Sequence, residues 1–123
     1  MIFSTNEELQ DALALWQKRL RLQDWNVVAE FKCASWMGDH DANILVTVPK
    51  KCAHMGILDP RHIEGARAGS VWPMDQEKDL VHELVHLHIE PFAPDQESNP
   101  TKYELFEQSV DILARALVAG YRQ

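Results

Sequence analysis

Leu80-Val81-His82-Glu83-Leu84-Val85-His86-Leu87-His88 is the stretch from which the rest of the chain can be read. Within it, His82-Glu83-Leu84-Val85-His86 spells H-E-x-x-H. On an α-helix, residues four apart stand one above the other on a single face. His82 and His86 can therefore aim two imidazoles at one ion, with Glu83 beside them in reach of a water on that ion. A chain of 123 residues with 6 His is expected to contain this pattern by chance only about 0.02 times. Leu80, Leu84 and Leu87 accompany the histidine face, so a helix docked on a core is predicted. Pro73 or Asp75 opens it, with Asp75, Glu77 and Asp79 where the helix dipole favours acids. Pro91 ends it by removing a backbone donor and disfavouring helix at Glu90.

Upstream, two overlapping capping boxes are available, Ser4 with Glu7 or Thr5 with Glu8. Behind them Leu9, Ala12, Leu13, Trp16 and Leu20 recur at helical spacing, so a helix to about Leu22 is expected. Three β-rich runs follow: 25–33, 43–48 (stopped by Pro49) and 52–58. Gly38-Asp39-His40 is a turn, and Gly56 inside the third run points to an edge position or a bulge. These runs predict a small, mostly antiparallel three-stranded sheet with helices on one face. Residues 61–71, with Gly65 and Gly69, read as an irregular connection. After a loop at 92–99, Ser98 or Asn99 caps a last helix, Pro100 suits its first position and Gly120 its end, giving roughly 100–119. The expected fold is a single α+β domain over residues 1–123.

The formal charge of −7 and a pI near 5.2 argue against a nucleic-acid or anionic-membrane surface. No apolar run approaches the roughly 20 residues of a membrane span. Met1-Ile2-Phe3-Ser4 lacks a basic region followed by an apolar block, so a cytoplasmic protein is expected. Cys33 and Cys52 are too few for a disulfide framework or a cysteine zinc site and read as reduced thiols. Trp16, Trp25, Trp36 and Trp72 read mostly as core or cleft wall rather than as a recognition platform.

Two histidines do not hold a catalytic zinc; a third protein ligand is needed, with one position left for water. His88, two residues past His86, points to nearly the opposite side. Glu90 is one turn further on, and three successive turns spread over too great a length to converge on one ion. His40, His54 and His62 lie in the strand and loop region without a predictable position. The short loop after Pro91 favours an antiparallel return of the last helix, carrying Glu104, Glu107 and Asp111 past the histidines. Glu107 and Asp111 share a face, an arrangement suited to one ligand and one acid that orients a ligand histidine.

With these residues the chain resembles the gluzincin metallopeptidases, in which H-E-x-x-H is followed after about twenty residues by a ligand Glu and, four positions later, an Asp. Glu107-Gln108-Ser109-Val110-Asp111 stands at that separation here. The resemblance implies a zinc site of His82, His86 and Glu107, Glu83 as the catalytic carboxylate and Asp111 as partner of His82. In layout the chain is similar to the small single-domain minigluzincins, a minimal zincin-like plan. The wording His82-Glu83-Leu84-Val85-His86-Leu87-His88-Ile89-Glu90-Pro91-Phe92 is also similar to a family of small uncharacterised proteins from phages and their bacterial hosts. The large gluzincins' C-terminal domain is missing, which leaves their oxyanion histidine without a counterpart; Tyr103, one turn before Glu107, is a candidate donor.

The function expected is zinc-dependent peptide-bond hydrolysis, with substrate extended along the sheet edge around 53–58 or 43–48. Two alternatives stand beside it. One is a zinc-containing binding or regulatory module with little proteolysis, prompted by the small size. The other is a latent enzyme, because small relatives of this kind can be held inactive by their own tail, here Ala119-Gly120-Tyr121-Arg122-Gln123.

Overall fold

Of the two capping boxes, Thr5 and Glu8 form the real one. The Thr5 hydroxyl accepts from the Glu8 N–H while the Glu8 carboxylate accepts from the Thr5 N–H, starting helix α1 (Asn6–Arg19). Leu9, Ala12, Leu13 and Trp16 are its buried stripe. The helix stops three residues before the expected end, because Arg21 takes a left-handed φ of 60°. Its N–H and that of Leu22 then turn back to the carbonyls of Lys18 and Gln17, a Schellman-type termination without glycine.

This computed structural model describes residues 1–62 and 74–123. The connection expected over 61–71, apart from Arg61 and His62, lies outside the described residues, as do Trp72 and Pro73. The fold is α+β: strands β1 (Asn26–Lys32), β2 (Ala42–Thr47) and β3 (Cys52–Leu58) form one sheet. A short helix α2 (Ala34–Met37) lies between β1 and β2; among the described residues, helices α3 (Gln76–Ile89) and α4 (Pro100–Tyr121) follow the sheet. Asp75 caps α3 through its side chain; Asn99 caps α4, with Pro100 following.

The sheet is mixed. Its order is β1-β3-β2, with β2 antiparallel and β1 parallel to β3. The chain leaves β1, crosses through α2, and leaves a gap that β3 fills by folding back from β2. β3 is thus the central strand rather than an edge, and its run Met55–Leu58 is wholly buried, as suits a strand flanked on both sides. Gly56 has a different reason from a bulge: a Cβ there would meet Asn43 Oδ1 at 2.7 Å and Trp36 Cζ3 at 3.2 Å. Trp36, carried by α2 and 53% exposed, lies on this outer sheet face with Lys32 over its ring, and so is neither core nor cleft wall.

On the inner face, α1 and α3 pack their apolar stripes against Ala29, Met55 and Ile57. Gln76 joins three parts of the chain in this core. It is fully buried, accepts from the Phe3 N–H at 2.9 Å and donates to the Leu58 carbonyl at 2.7 Å. Gln76→Ala leaves both backbone groups buried without partners, so a loss of about 2–4 kcal/mol in unfolding free energy is expected. Chemical denaturation measures it, and a loss below about 1 kcal/mol contradicts this role for Gln76.

Helix α4 returns antiparallel to α3, since Arg122 pairs with Asp75 and Glu77 while Glu107 lies by His82 and His86. It runs through Gly120 to Tyr121 rather than stopping before it. Fewer of its apolar residues are buried than the sequence pattern suggests: Val110, Ala114 and Val118 are, whereas Leu105, Ile112 and Leu113 face outward. Its tail is docked away from the histidines. Tyr121 packs edge-on against Trp16 with ring centroids 5.2 Å apart and lies under Arg19. No described helix is long and apolar enough to cross a membrane.

Candidate metal centre

Lys78, His82 and His86 stand one above another on α3, on the face turned to α4. Each imidazole brings its Nε2 to the same carboxylate: His82 Nε2 is 3.1 Å from Glu107 Oε2 and His86 Nε2 is 3.0 Å from Glu107 Oε1. The two rings lie 5.1 Å apart between centroids. Among the described residues, His82, His86 and Glu107 form the group able to hold a metal ion, one ligand atom from each lying within 4.8 Å of the others. Two imidazole nitrogens and a carboxylate oxygen converging on one point fit a borderline divalent cation in both number and chemistry.

Asp111 takes the place expected for it, its Oδ1 3.1 Å from His82 Nδ1. The same oxygen accepts from Lys78 Nζ at 2.9 Å, and Oδ2 accepts from Arg115 Nε at 2.8 Å. Lys78 also pairs with the buried Asp79 at 2.8 Å. Lys78 is one turn before His82 and Arg115 one turn after Asp111, so helical spacing alone could have flagged both. Glu104, the alternative ligand, is exposed and outside the cluster.

The electrostatics divide the acids into two kinds. Glu107, held by hydrogen bonds from both histidines, has its pKa lowered to about 2. Asp111 also falls to about 2, because Arg115, Lys78 and His82 outweigh its burial. Glu83 goes the other way: only 8% exposed, it is raised by burial to about 7, with the histidines pulling against that. Both histidine pKa values are raised, the burial penalty being overcome by Glu107 and Glu83, and at His82 by Asp111 as well.

A raised imidazole pKa means that protons compete with a cation for the same nitrogens at near-neutral pH. Affinity for a divalent cation should therefore fall as pH drops through the range in which the imidazoles protonate, approaching roughly tenfold per pH unit for each proton displaced. Competition titrations across this range measure it; a flat profile contradicts binding through these imidazoles.

Two hollows meet at Glu83 and Glu107. One, of about 230 Å³, is lined by Asp39, His40, Asp41, Lys78, Asp79 and Asp111 among others. The other, of about 310 Å³, runs along β2 and is closed by His86, Glu90 and Tyr103. His40 borders both from its exposed turn, a placement no local pattern could foretell. Tyr103 is half-buried and its phenol is pushed up by burial, with Glu107, Glu90 and Glu83 adding to it, so it stays protonated at neutral pH.

The remaining histidines have structural partners. His54 meets Glu30 at 3.2 Å, His62 Nδ1 accepts from the Ala34 N–H at 3.1 Å, and His88 Nε2 meets the Leu20 carbonyl at 2.7 Å. Compared with protein-family models, curated proteins and solved structures, the chain matches none.

Proposed function

We propose that the chain is a zinc-dependent peptide-bond hydrolase of gluzincin type. The observation that carries this reading is the convergence of His82, His86 and Glu107 on one point beside the buried, protonatable Glu83. Zinc held there would supply Lewis acidity and lower the pKa of a water in its open position to about 7. Glu83, itself near 7, takes the proton from the attacking water and passes it to the departing amine. Glu107 fixes the ligand geometry with its low pKa, and Asp111 holds the His82 ring by its outer nitrogen. Tyr103, an O–H donor lining the same groove, would steady the carbonyl oxygen as charge develops.

Substrate binds extended against β2. Residues 53–58 belong to the central strand and are paired on both sides, so that part of the expected sheet edge is closed. Among the described residues β2 pairs with β3 alone, and residues 42–46 line the groove next to Glu83. An added strand there satisfies the open backbone groups of both chains. Two free cysteines, Cys33 and Cys52, suit the reducing cytoplasm.

One observation favours the second reading, a zinc-binding module without turnover: the substrate wall is a single edge strand of 6 residues, enough for only a short peptide contact. The test is incubation of the zinc-loaded protein with unfolded proteins and a peptide library. Cleavage that disappears with a chelator and returns with zinc supports the hydrolase; bound zinc without any cleavage supports the binding module. Latency through the tail gains no support from the docking of Tyr121 and Arg122 on α1 and the start of α3.

A further inference from the structure

The two histidines are supported unequally. His82 has Asp111 behind it, and Asp111 is gripped from both sides by Lys78 and Arg115. The outer nitrogen of His86, Nδ1, is buried and has no hydrogen-bond partner. Glu90 Oε2 stands 3.4 Å from it, within ion-pair range but outside hydrogen-bond geometry. A buried N–H left without an acceptor is costly, and an imidazole that ligates through Nε2 must carry its proton on Nδ1.

Glu90 is well placed to supply the acceptor. It is one turn beyond His86 at the end of α3, on the same face, and its side chain is 42% exposed and so free to turn. The separation of 3.4 Å is already within hydrogen-bond reach; what the contact lacks is direction, which a turn of the exposed Glu90 side chain supplies. On the metal-binding reading above, we infer that Glu90 is the positioning residue of His86: it accepts the Nδ1 proton and fixes the tautomer that presents Nε2 to the metal. The pattern is then His-Glu-x-x-His-x-x-x-Glu, with each ligand histidine backed by its own carboxylate, Asp111 from α4 and Glu90 from α3 itself.

The test is zinc affinity, read by competition with a chromophoric chelator, for the full chain and for Glu90→Ala and Glu90→Gln. Glu90→Ala should bind zinc about tenfold more weakly. Glu90→Gln keeps the length and a carbonyl acceptor and should stay within about twofold of the unmodified chain. Equal melting temperatures of the three metal-free proteins show that the fold is unchanged. Glu90→Ala binding as tightly as the unmodified chain overturns the assignment, and so does Glu90→Gln falling as far as Glu90→Ala. An unmodified chain that binds no zinc overturns the metal reading itself, a distinct result.

Discussion

Glu83→Gln should bind zinc as tightly as the unmodified chain and lose turnover by about 10²–10⁴-fold. The amide has the shape of the carboxyl group and fits a site only 8% exposed, so packing is preserved. It cannot take up a proton, and proton transfer is the one task assigned to this side chain. Burial raises the carboxyl's pKa to about 7 in the metal-free protein, and burial of this kind makes a carboxylate a better proton acceptor. Removing a buried ionisable group also spares its desolvation, so stability should not fall. Turnover is measured per bound zinc. Full activity in this variant eliminates Glu83 as the proton carrier and the hydrolytic mechanism with it.

Glu107→Ala should weaken zinc binding by at least about 100-fold, more than loss of an outer partner such as Asp111 or Glu90 is expected to cost. The substitution removes a ligand and leaves two imidazoles facing each other without the carboxylate that joins them. Part of the effect is masked near neutral pH. Glu107 also raises the histidine pKa values, so its removal weakens proton competition, and the full loss appears where the imidazoles are deprotonated in both proteins. Glu104→Ala is the matched control, because Glu104 is exposed on the same helix and should leave affinity unchanged. Unchanged affinity in Glu107→Ala moves the third ligand elsewhere.

What could be read in advance was what depends on local spacing. The H-E-x-x-H turn, the Thr5–Glu8 box as one of two on offer, and Asn99 as one of two caps before Pro100 are each set within one helix or one loop. Helix spacing and the antiparallel return of α4 suggested that Asp111 would back one of the histidines; that this is His82 came from the gluzincin resemblance, and the two groups do meet at 3.1 Å. The parallel pairing of β1 with β3 was not legible, because alternation of apolar residues tells which face is buried and not which strand lies alongside. Gly56 shows the same limit: its reasons are Asn43 from β2 and Trp36 from α2, thirteen and twenty residues away in the chain.

The end of α4 illustrates tertiary contacts overriding a local stop signal. Glycine costs a helix interior about 1 kcal/mol, yet the last turn is held by Tyr121 on Trp16 and by Arg122 on Asp75 and Glu77. Gln76 was equally invisible; a glutamine at a helix start signals nothing until Phe3 and Leu58 are seen on either side of it. At the site, Glu90 was set aside because it is too far along α3 to be a third ligand. Its distance of 3.4 Å from the outer nitrogen of His86 gives it another role.

X-ray absorption at the zinc edge of the purified, metal-loaded protein reads the ligand set itself. One zinc per chain is expected, with two histidine nitrogens and oxygen donors, all at about 2.0–2.2 Å, and no sulfur. Sulfur scattering at about 2.3 Å, a single histidine in the shell, or no stoichiometric zinc at all would contradict it.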